Sequence, residues 1–434
     1  MQYFFILGRN PTLSFAEIAA VFRLKPKQVL YLGEEAAVVE IEQEIGASSL
    51  IRKLGGTIKM GAINFKYQMS NFKAMSNDLM SKLMPPLESI TGKFNFGISY
   101  YGAGKFKPEK ELAMEIKRML KERGVNSRWV TSREKTLSSV VAEQNKLTSG
   151  RGAEIIIIND GRNYFVGKTL AVQPFKELSA RDYGRPGRDD YSGMLPPKLA
   201  QIMINLTPNP SPYKGEGSLS PYAMSPSLYQ GEGRGEVILD PFCGSGTILT
   251  EAALMGFKNI IGCDISEKAV EDAQKNFQFL ISNFQSIFNK PISNEVAEIF
   301  QCDVRKLSQF VKLNSVDAIV TEPYLGPARM KWSGQNIGQV ARELEELYRQ
   351  AILEFAKVLK PNGRVVMVWP IFKIGAGEIK LDPNKILDDN FKIKNLLAEF
   401  LPNKIIKLNE RGAMVYGRQG QKVWREILVL TPRQ

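Results

Sequence analysis

Val237-Ile238-Leu239-Asp240-Pro241-Phe242-Cys243-Gly244-Ser245-Gly246-Thr247 is the stretch on which the fold of this chain turns. A short apolar strand runs into a Gly-x-Gly turn, and the turn feeds a helix that begins at Thr247. Glycine lets backbone approach a ligand closely, and the first turn of a helix offers unpaired N–H groups. Such a turn alone is a weak signal, because it recurs wherever a nucleotide sits on an open α/β sheet. Outward from it the pattern repeats. Strands are expected at Val237–Phe242, Asn259–Ile265, Glu298–Asp303, Asp317–Thr321 and Arg364–Trp369. Helices are expected between them, at Thr247–Gly256, Glu267–Phe284 and Asn336–Leu359. This alternation predicts an α/β fold with a mostly parallel, doubly wound sheet. The tail Ala413–Leu430, with Gly417 and Gly420 between apolar runs, predicts an antiparallel hairpin on the same sheet.

The strand ends carry the chemistry. Asp264 ends the second strand, where a carboxylate can take both hydroxyls of a ribose. Asp303 ends the third, within reach of an adenine amine. Each fits a helix cap equally well when read alone, but acidic residues at successive strand ends describe a nucleoside pocket. The fourth strand ends Asp317-Ala318-Ile319-Val320-Thr321-Glu322-Pro323-Tyr324. A rigid proline followed by an aromatic makes a shelf on which a planar base can stack. Oxygens just before that proline can accept hydrogen bonds from an exocyclic amine. The plainer alternative is a strand-end turn with Tyr324 packed in the core.

Composition narrows the choice. The chain has 434 residues, 44% of them hydrophobic and 24% charged, which is ordinary globular make-up and excludes a largely disordered chain. It contains no histidine, so Ser-His-Asp and Cys-His catalysis, histidine proton shuttles and histidine metal sites are excluded. Three cysteines, Cys243, Cys263 and Cys302, make neither a disulfide framework nor a zinc site, and no metal is expected. They read as small buried thiols in a protein of the reducing cytoplasm. No apolar run approaches the ~18 residues of a membrane span, and Met1–Gly8 lacks the features of a signal peptide. The net charge is +13, from 58 basic and 45 acidic side chains. Residues 66–200 hold most of that surplus, 23 basic against 14 acidic groups, the footprint of a phosphate-backbone partner or of a solvated basic face.

The N-terminal half reads as α+β. Strand, helix, hairpin, helix and strand follow one another over residues 1–66, an order that suggests a small ferredoxin-like unit. A second unit is expected over 67–175. Its elements are a helix at Ser70–Met84, a strand at Lys93–Tyr101, an amphipathic helix at Pro108–Arg123 and an apolar strand at Ala153–Asn159 turning into Tyr164–Val172. Residues 176–194 read as a linker or an ordered strap, and 195–434 as the sheet domain. Residues 207–235, rich in Pro, Ser and Gly, read as a flexible insertion within it.

With these residues in view, the C-terminal half resembles Rossmann-type S-adenosylmethionine-dependent methyltransferases that modify exocyclic base amines. The resemblance implies cofactor-binding roles for Asp240, Pro241, Phe242, Gly244, Gly246, Thr247, Asp264, Ile265, Asp303 and Val304. It implies an amine-acceptor, catalytic role for Thr321, Glu322, Pro323 and Tyr324. The N-terminal half resembles the ferredoxin-like plus THUMP module of tRNA guanine-N2 methyltransferases, most tellingly at Lys135–Val141, Asn145–Leu147, Arg181–Pro186 and Gly193–Ala200. Enzymes of the guanine-10 type are the nearest in pattern. The implied reaction is methyl transfer to the N2 amine of a guanosine in tRNA. Two features depart from the pattern: the acceptor motif begins Thr-Glu where the family has Asp-Pro or Asn-Pro, and the insertion precedes the first motif. Lys105, Lys107, Lys135, Lys146, Arg151, Arg181, Arg185 and Arg188 are the candidate RNA contacts, the last three with packing of the strap as the alternative. The competing readings are a ribosomal RNA or DNA amine methyltransferase, and a tRNA-binding homologue without activity. A monomer is expected, with the need for a small activator subunit left open.

Overall fold

The computed structural model describes residues 1–68, 92–102, 108–188, 194–207, 236–284, 294–327, 334–375 and 377–433. By internal packing these divide into one unit of Met1–Phe15 with Leu24–Phe175 and another of Ala16–Arg23 with Lys176–Gln434.

The chain opens with β1 (Gln2–Leu7), α1 (Pro11–Phe22), which from Ala16 groups with the second unit, then β2 (Val29–Leu32), β3 (Ala36–Glu40), α2 (Ala47–Leu50) and β4 (Thr57–Gln68). The succession of elements along the chain is the one read from the sequence, and β1 to β4 are antiparallel in the order β2-β3-β1-β4. Next come β5 (Phe94–Tyr101), α3 (Glu109–Glu122), β6 (Ser127–Val130), α4 (Ser139–Gln144), β7 (Gly152–Asn159) and β8 (Asn163–Val172). These strands extend the same sheet as β8-β7-β5-β6, with β5 parallel to β6 and β7. The expected boundary at 66/67 therefore falls inside a strand: β4 pairs with β1 on one side and with β8, from Lys59 to Gln68, on the other. The helix expected at Ser70–Met84 lies outside the described residues.

Amphipathic spacing explains α3. Leu112, Ala113, Ile116 and Leu120 are buried against Phe94, Phe96, Ile155 and Ile157, and Gly124, at φ +76°, follows its end. Leu112, Ile116 and Leu120 each contribute roughly 1.5–3 kcal/mol by leaving water. On β7, Ile155 and Ile157 enter that cluster while Ile156 and Ile158 enter a second with Phe4 and Phe165, so the strand is buried on both faces. One residue of that apolar run is charged. Glu154 is fully buried and accepts from Ser99 Oγ (2.6 Å), Thr169 Oγ1 (2.8 Å) and the ammonium of Lys59, which also reaches the Leu137 carbonyl. Leu137 N–H in turn donates to Ser99 Oγ (2.9 Å).

α5 (Phe175–Tyr183) leads into the second unit and is followed by α6 (Pro197–Asn205), so the first part of the expected strap, Lys176–Tyr183, is a helix. Of the insertion expected at 207–235, residues 208–235 lie outside the described residues. There follow β9 (Val237–Asp240), α7 (Thr247–Met255), β10 (Asn259–Asp264), α8 (Glu267–Phe284), β11 (Ala297–Gln301), β12 (Val316–Thr321), α9 (Gly334–Val358) and β13 (Leu359–Ile374). The chain closes with β14 (Gly377–Lys380), β15 (Phe391–Ile393), β16 (Met414–Tyr416) and β17 (Val423–Pro432). The sheet runs β11-β10-β9-β12-β13-β17-β15, parallel as far as β13. β17 is antiparallel to β13 and β16, as the tail pattern predicted. β13 outlasts its expected end at Trp369 because Pro370–Phe372 pair with β17 and Ile371–Ile374 with β14. Trp369 is fully buried beside Tyr348, their ring centroids 6.2 Å apart, which makes it a core residue.

Candidate active site

β9, β10 and β12 are parallel neighbours or next neighbours, so Asp240, Asp264 and Thr321 come to one edge of the sheet. Hydrogen bonds then join them. Thr321 Oγ1 donates to Asp240 Oδ1 (2.7 Å), which also accepts from Phe242 N (3.3 Å). Asp264 accepts from Gly244 N on one oxygen and from Ser266 N on the other, both at 3.0 Å. Burial lifts the Asp240 carboxyl to about 7, with the charges of Asp264 and Glu322 adding to the rise and the Thr321 hydroxyl and Phe242 N–H opposing it.

The glycine turn is held from both ends. Gly244 has φ +51° and open space where a side chain would stand, and Gly246 has φ +80° with Ala273 of α8 3.1 Å from where its Cβ would be. The first position leaves the turn bare toward solvent; the second lets α8 close on it. Asn276 of α8 donates to Ser245 O (2.8 Å) and to Gly187 O (2.7 Å), and its own Oδ1 accepts from Gly187 N (2.8 Å). Arg185 Nη1 donates to Thr247 Oγ1 (2.6 Å). The strap residues thus brace the turn from behind.

That bracing corrects two candidate RNA contacts. Arg181 is 8% exposed and forks onto Glu251 of α7 (2.7 and 3.2 Å), which Gln201 also meets at 2.9 Å. Arg185 is 6% exposed between Thr247 and Met194. A phosphate cannot reach a guanidinium spent inside the fold. Arg188 is exposed, over the ring of Tyr183 and bonded to its carbonyl. In the first unit Lys146 and Arg151 are exposed, and Lys135 pairs at the surface with Glu35 (2.7 Å). Lys105 and Lys107 lie outside the described residues.

The remaining strand-end residues divide. Ile265 is 62% exposed and Tyr324 is 52% exposed, two apolar surfaces left bare at this edge, whereas Val304 and Pro323 are buried. The core alternative for Tyr324 therefore fails. Asp303 caps the short helix Val304–Gln309 and holds the Arg305 guanidinium through both oxygens, which keeps its carboxyl below the usual range. The cap reading, open in the sequence, is realised there. An open groove of about 680 Å³ beside Pro186, Gln274, Phe277 and Ile299 includes none of these residues and is a separate feature.

Two groups at this edge carry no sequence signal. Tyr348, buried on α9, donates to the Tyr324 carbonyl (2.8 Å) and so anchors the loop after β12. Arg425, on β17, grips Glu322 with Nε on one oxygen and Nη2 on the other, the latter at 3.0 Å. Both lie in plain amphipathic or alternating stretches, and Arg425 is 103 residues from its partner. Cys243, Cys263 and Cys302 are buried, and burial raises all three thiols.

Residues 212–373 match a family described as RMKL-like, methyltransferase domain, and residues 62–275 match one described as DNA methylase. A protein of Methanothermobacter thermautotrophicus named tRNA (guanine(10)-N2)-dimethyltransferase is 30% identical over 241 residues, 55% of this chain and 54% of that protein. The proteins this chain resembles carry methyltransferase names. The chain thus spans about half the length of that relative. It spans more of the protein of the same name from Methanocaldococcus jannaschii, 23% identical over 76% of this chain and 80% of that one. The crystal structure of TrmN from Thermus thermophilus covers the whole of both chains with a TM-score of 0.51 at 17% identity. That likeness bears on the fold alone, and the α/β fold with a mostly parallel sheet is the one the strand pattern predicted. Among the described residues no helix is long and apolar enough to cross a membrane.

Proposed function

We propose that this chain transfers a methyl group from S-adenosylmethionine to the exocyclic N2 amine of a guanosine in tRNA, with guanine 10 as the expected position. One observation carries the reading: hydrogen bonds join the bare glycine turn, the Asp264 carboxylate and the end of β12 into a single edge. The names of the archaeal relatives supply the substrate class.

The residues present fit the cofactor. Open space above Gly244 admits a ligand against backbone, Asp264 keeps a free lone pair on each oxygen for a ribose diol, and Ile265 offers an exposed apolar face for a purine. Pro241, Phe242, Gly246 and Thr247 shape that cradle, and Asp303 and Val304 close its adenine end. When bound, S-adenosylmethionine supplies an electrophilic methyl group on a sulfonium.

The chain's own part is alignment. The N2 amine of guanine is conjugated with the ring and is a poor nucleophile, so acceptors for its hydrogens and a fixed approach matter more than a strong base. Glu322 and the carbonyls of residues 321–323 accept those hydrogens as positive charge develops on nitrogen. Tyr324 stacks on the base, which has to leave its own stack to enter, and Pro323 holds the shelf rigid. Residues 67–175 serve as the RNA-binding part, with Lys135, Lys146, Arg151 and Arg188 on phosphates. We read the protein as a cytoplasmic monomer.

The match of residues 62–275 to a DNA methylase family favours one other reading, an amine methyltransferase acting on DNA. Incubation with labelled cofactor and equal amounts of unmodified tRNA transcripts, ribosomal RNA or duplex DNA separates the two. Label is expected in the tRNA. Label in DNA alone would replace the proposal with the second reading.

A further inference from the structure

The pair Glu322–Arg425 has a chemistry that the rest of the edge lacks. Arg425 stands opposite Pro370 of β13 and Tyr416 of β16 and reaches the residue that follows β12. Side-chain exposures of 13% for Glu322 and 15% for Arg425 leave each a small open face. A guanidinium that grips a carboxylate through Nε and Nη2 keeps Nη1 and the outer N–H of Nη2 for another acceptor. Each carboxylate oxygen likewise keeps a second lone pair. A donor and an acceptor are therefore fixed side by side, two residues along the chain from the half-exposed Tyr324. The pair also belongs to the site itself, because the charge of Glu322 is felt at both Asp240 and Tyr348.

Guanine shows the complementary pattern. Its Watson–Crick edge sets the acceptor O6 beside the donors N1–H and N2–H, whereas adenine shows a donor amine beside the bare acceptor N1. We propose that Glu322 and Arg425 together read guanine, Glu322 accepting from its N–H side and Arg425 donating to O6, and so restrict transfer to that base. The Thr-Glu that departs from the family pattern thereby acquires a use: the glutamate brings a carboxylate that an arginine 103 residues away can fix in place. The inference rests on the methyl-transfer reading above and names how its base is chosen.

The test compares tRNA transcripts that carry guanine or 2-aminopurine at the position that takes label. 2-Aminopurine keeps the amine but lacks O6 and N1–H. For the wild-type protein kcat/KM should fall at least about tenfold on 2-aminopurine, the size of one lost base-edge contact. In Arg425→Ala activity on guanine should fall while the ratio between the two bases shrinks toward one, and Arg425→Lys should recover part of the ratio. The Kd for S-adenosylhomocysteine should be the same in all three, which separates loss of base reading from loss of fold. Equal rates on the two bases by the wild-type protein overturn the inference without any variant. An unchanged ratio in a folded Arg425→Ala overturns it as well. Transfer to neither base overturns the underlying function and this inference with it.

Discussion

Asp240 is the residue whose environment makes the sharpest demand. It is buried, it accepts from Thr321 and Phe242, and its carboxyl sits near 7 in the folded protein against an ordinary value of 3.8. Between those two values the folded state holds a proton that the unfolded chain has released. The stability this group contributes is complete below about pH 4 and is lost as pH rises through 7. Asp240→Asn keeps both accepted hydrogen bonds and removes the titration, so its urea midpoints at pH 5 and pH 8 should lie closer together than those of the wild type. An undiminished gap would assign the pH dependence to other groups, such as Glu236, also lifted to about 7 by burial. At this scale the sequence was most legible in placement: Asp264 ends a strand, Gly244 turns with open space above it, and Tyr324 stands exposed after β12. It was least legible for Arg425 and Tyr348, whose partners are distant in the chain and whose local pattern is that of any strand or helix. Of the strap arginines, whose two readings charge alone left open, Arg181 and Arg185 follow the packing one: a buried glutamate at residue 251 takes Arg181 inward.

Among the elements, β4 and β7 hold the least expected feature of the first unit. Alternation reads both as ordinary strands, yet Lys59 and Glu154 face each other with 1% and 0% exposure. Periodicity sees only that a position is inward; it does not see that two inward charges meet across 95 residues. The ion pair and its hydroxyl partners also tie down Leu137, in the stretch Lys135–Val141 that carried the THUMP resemblance. Removing one partner leaves the other charge buried and uncompensated, so Lys59→Met should cost about 3–5 kcal/mol of unfolding free energy. Adding Glu154→Leu should return part of that loss. Denaturant titration of the two variants against the wild type checks both. A single variant as stable as the wild type would mean that water reaches Glu154 and the network does not hold the loop.

At the scale of the whole molecule, the alternation of strand and helix after residue 236 was enough to predict a mostly parallel, doubly wound sheet, because parallel strands with helical crossovers admit few topologies. The first half was harder, since antiparallel strands from two expected units merged along β4 into one sheet. The proposed function asks two things of the molecule, a phosphate-binding surface and a nucleoside cradle; the charge surplus in residues 66–200 and the strand-end edge of the second unit are the candidates for them. The most direct measurement is nucleoside mass spectrometry of a tRNA transcript after incubation with the protein and S-adenosylmethionine. N2-methylated guanosine should appear, and it should vanish when guanine 10 of the transcript is replaced. A methyl group on any other atom, or an N2-methylguanosine that survives that replacement, would contradict the account.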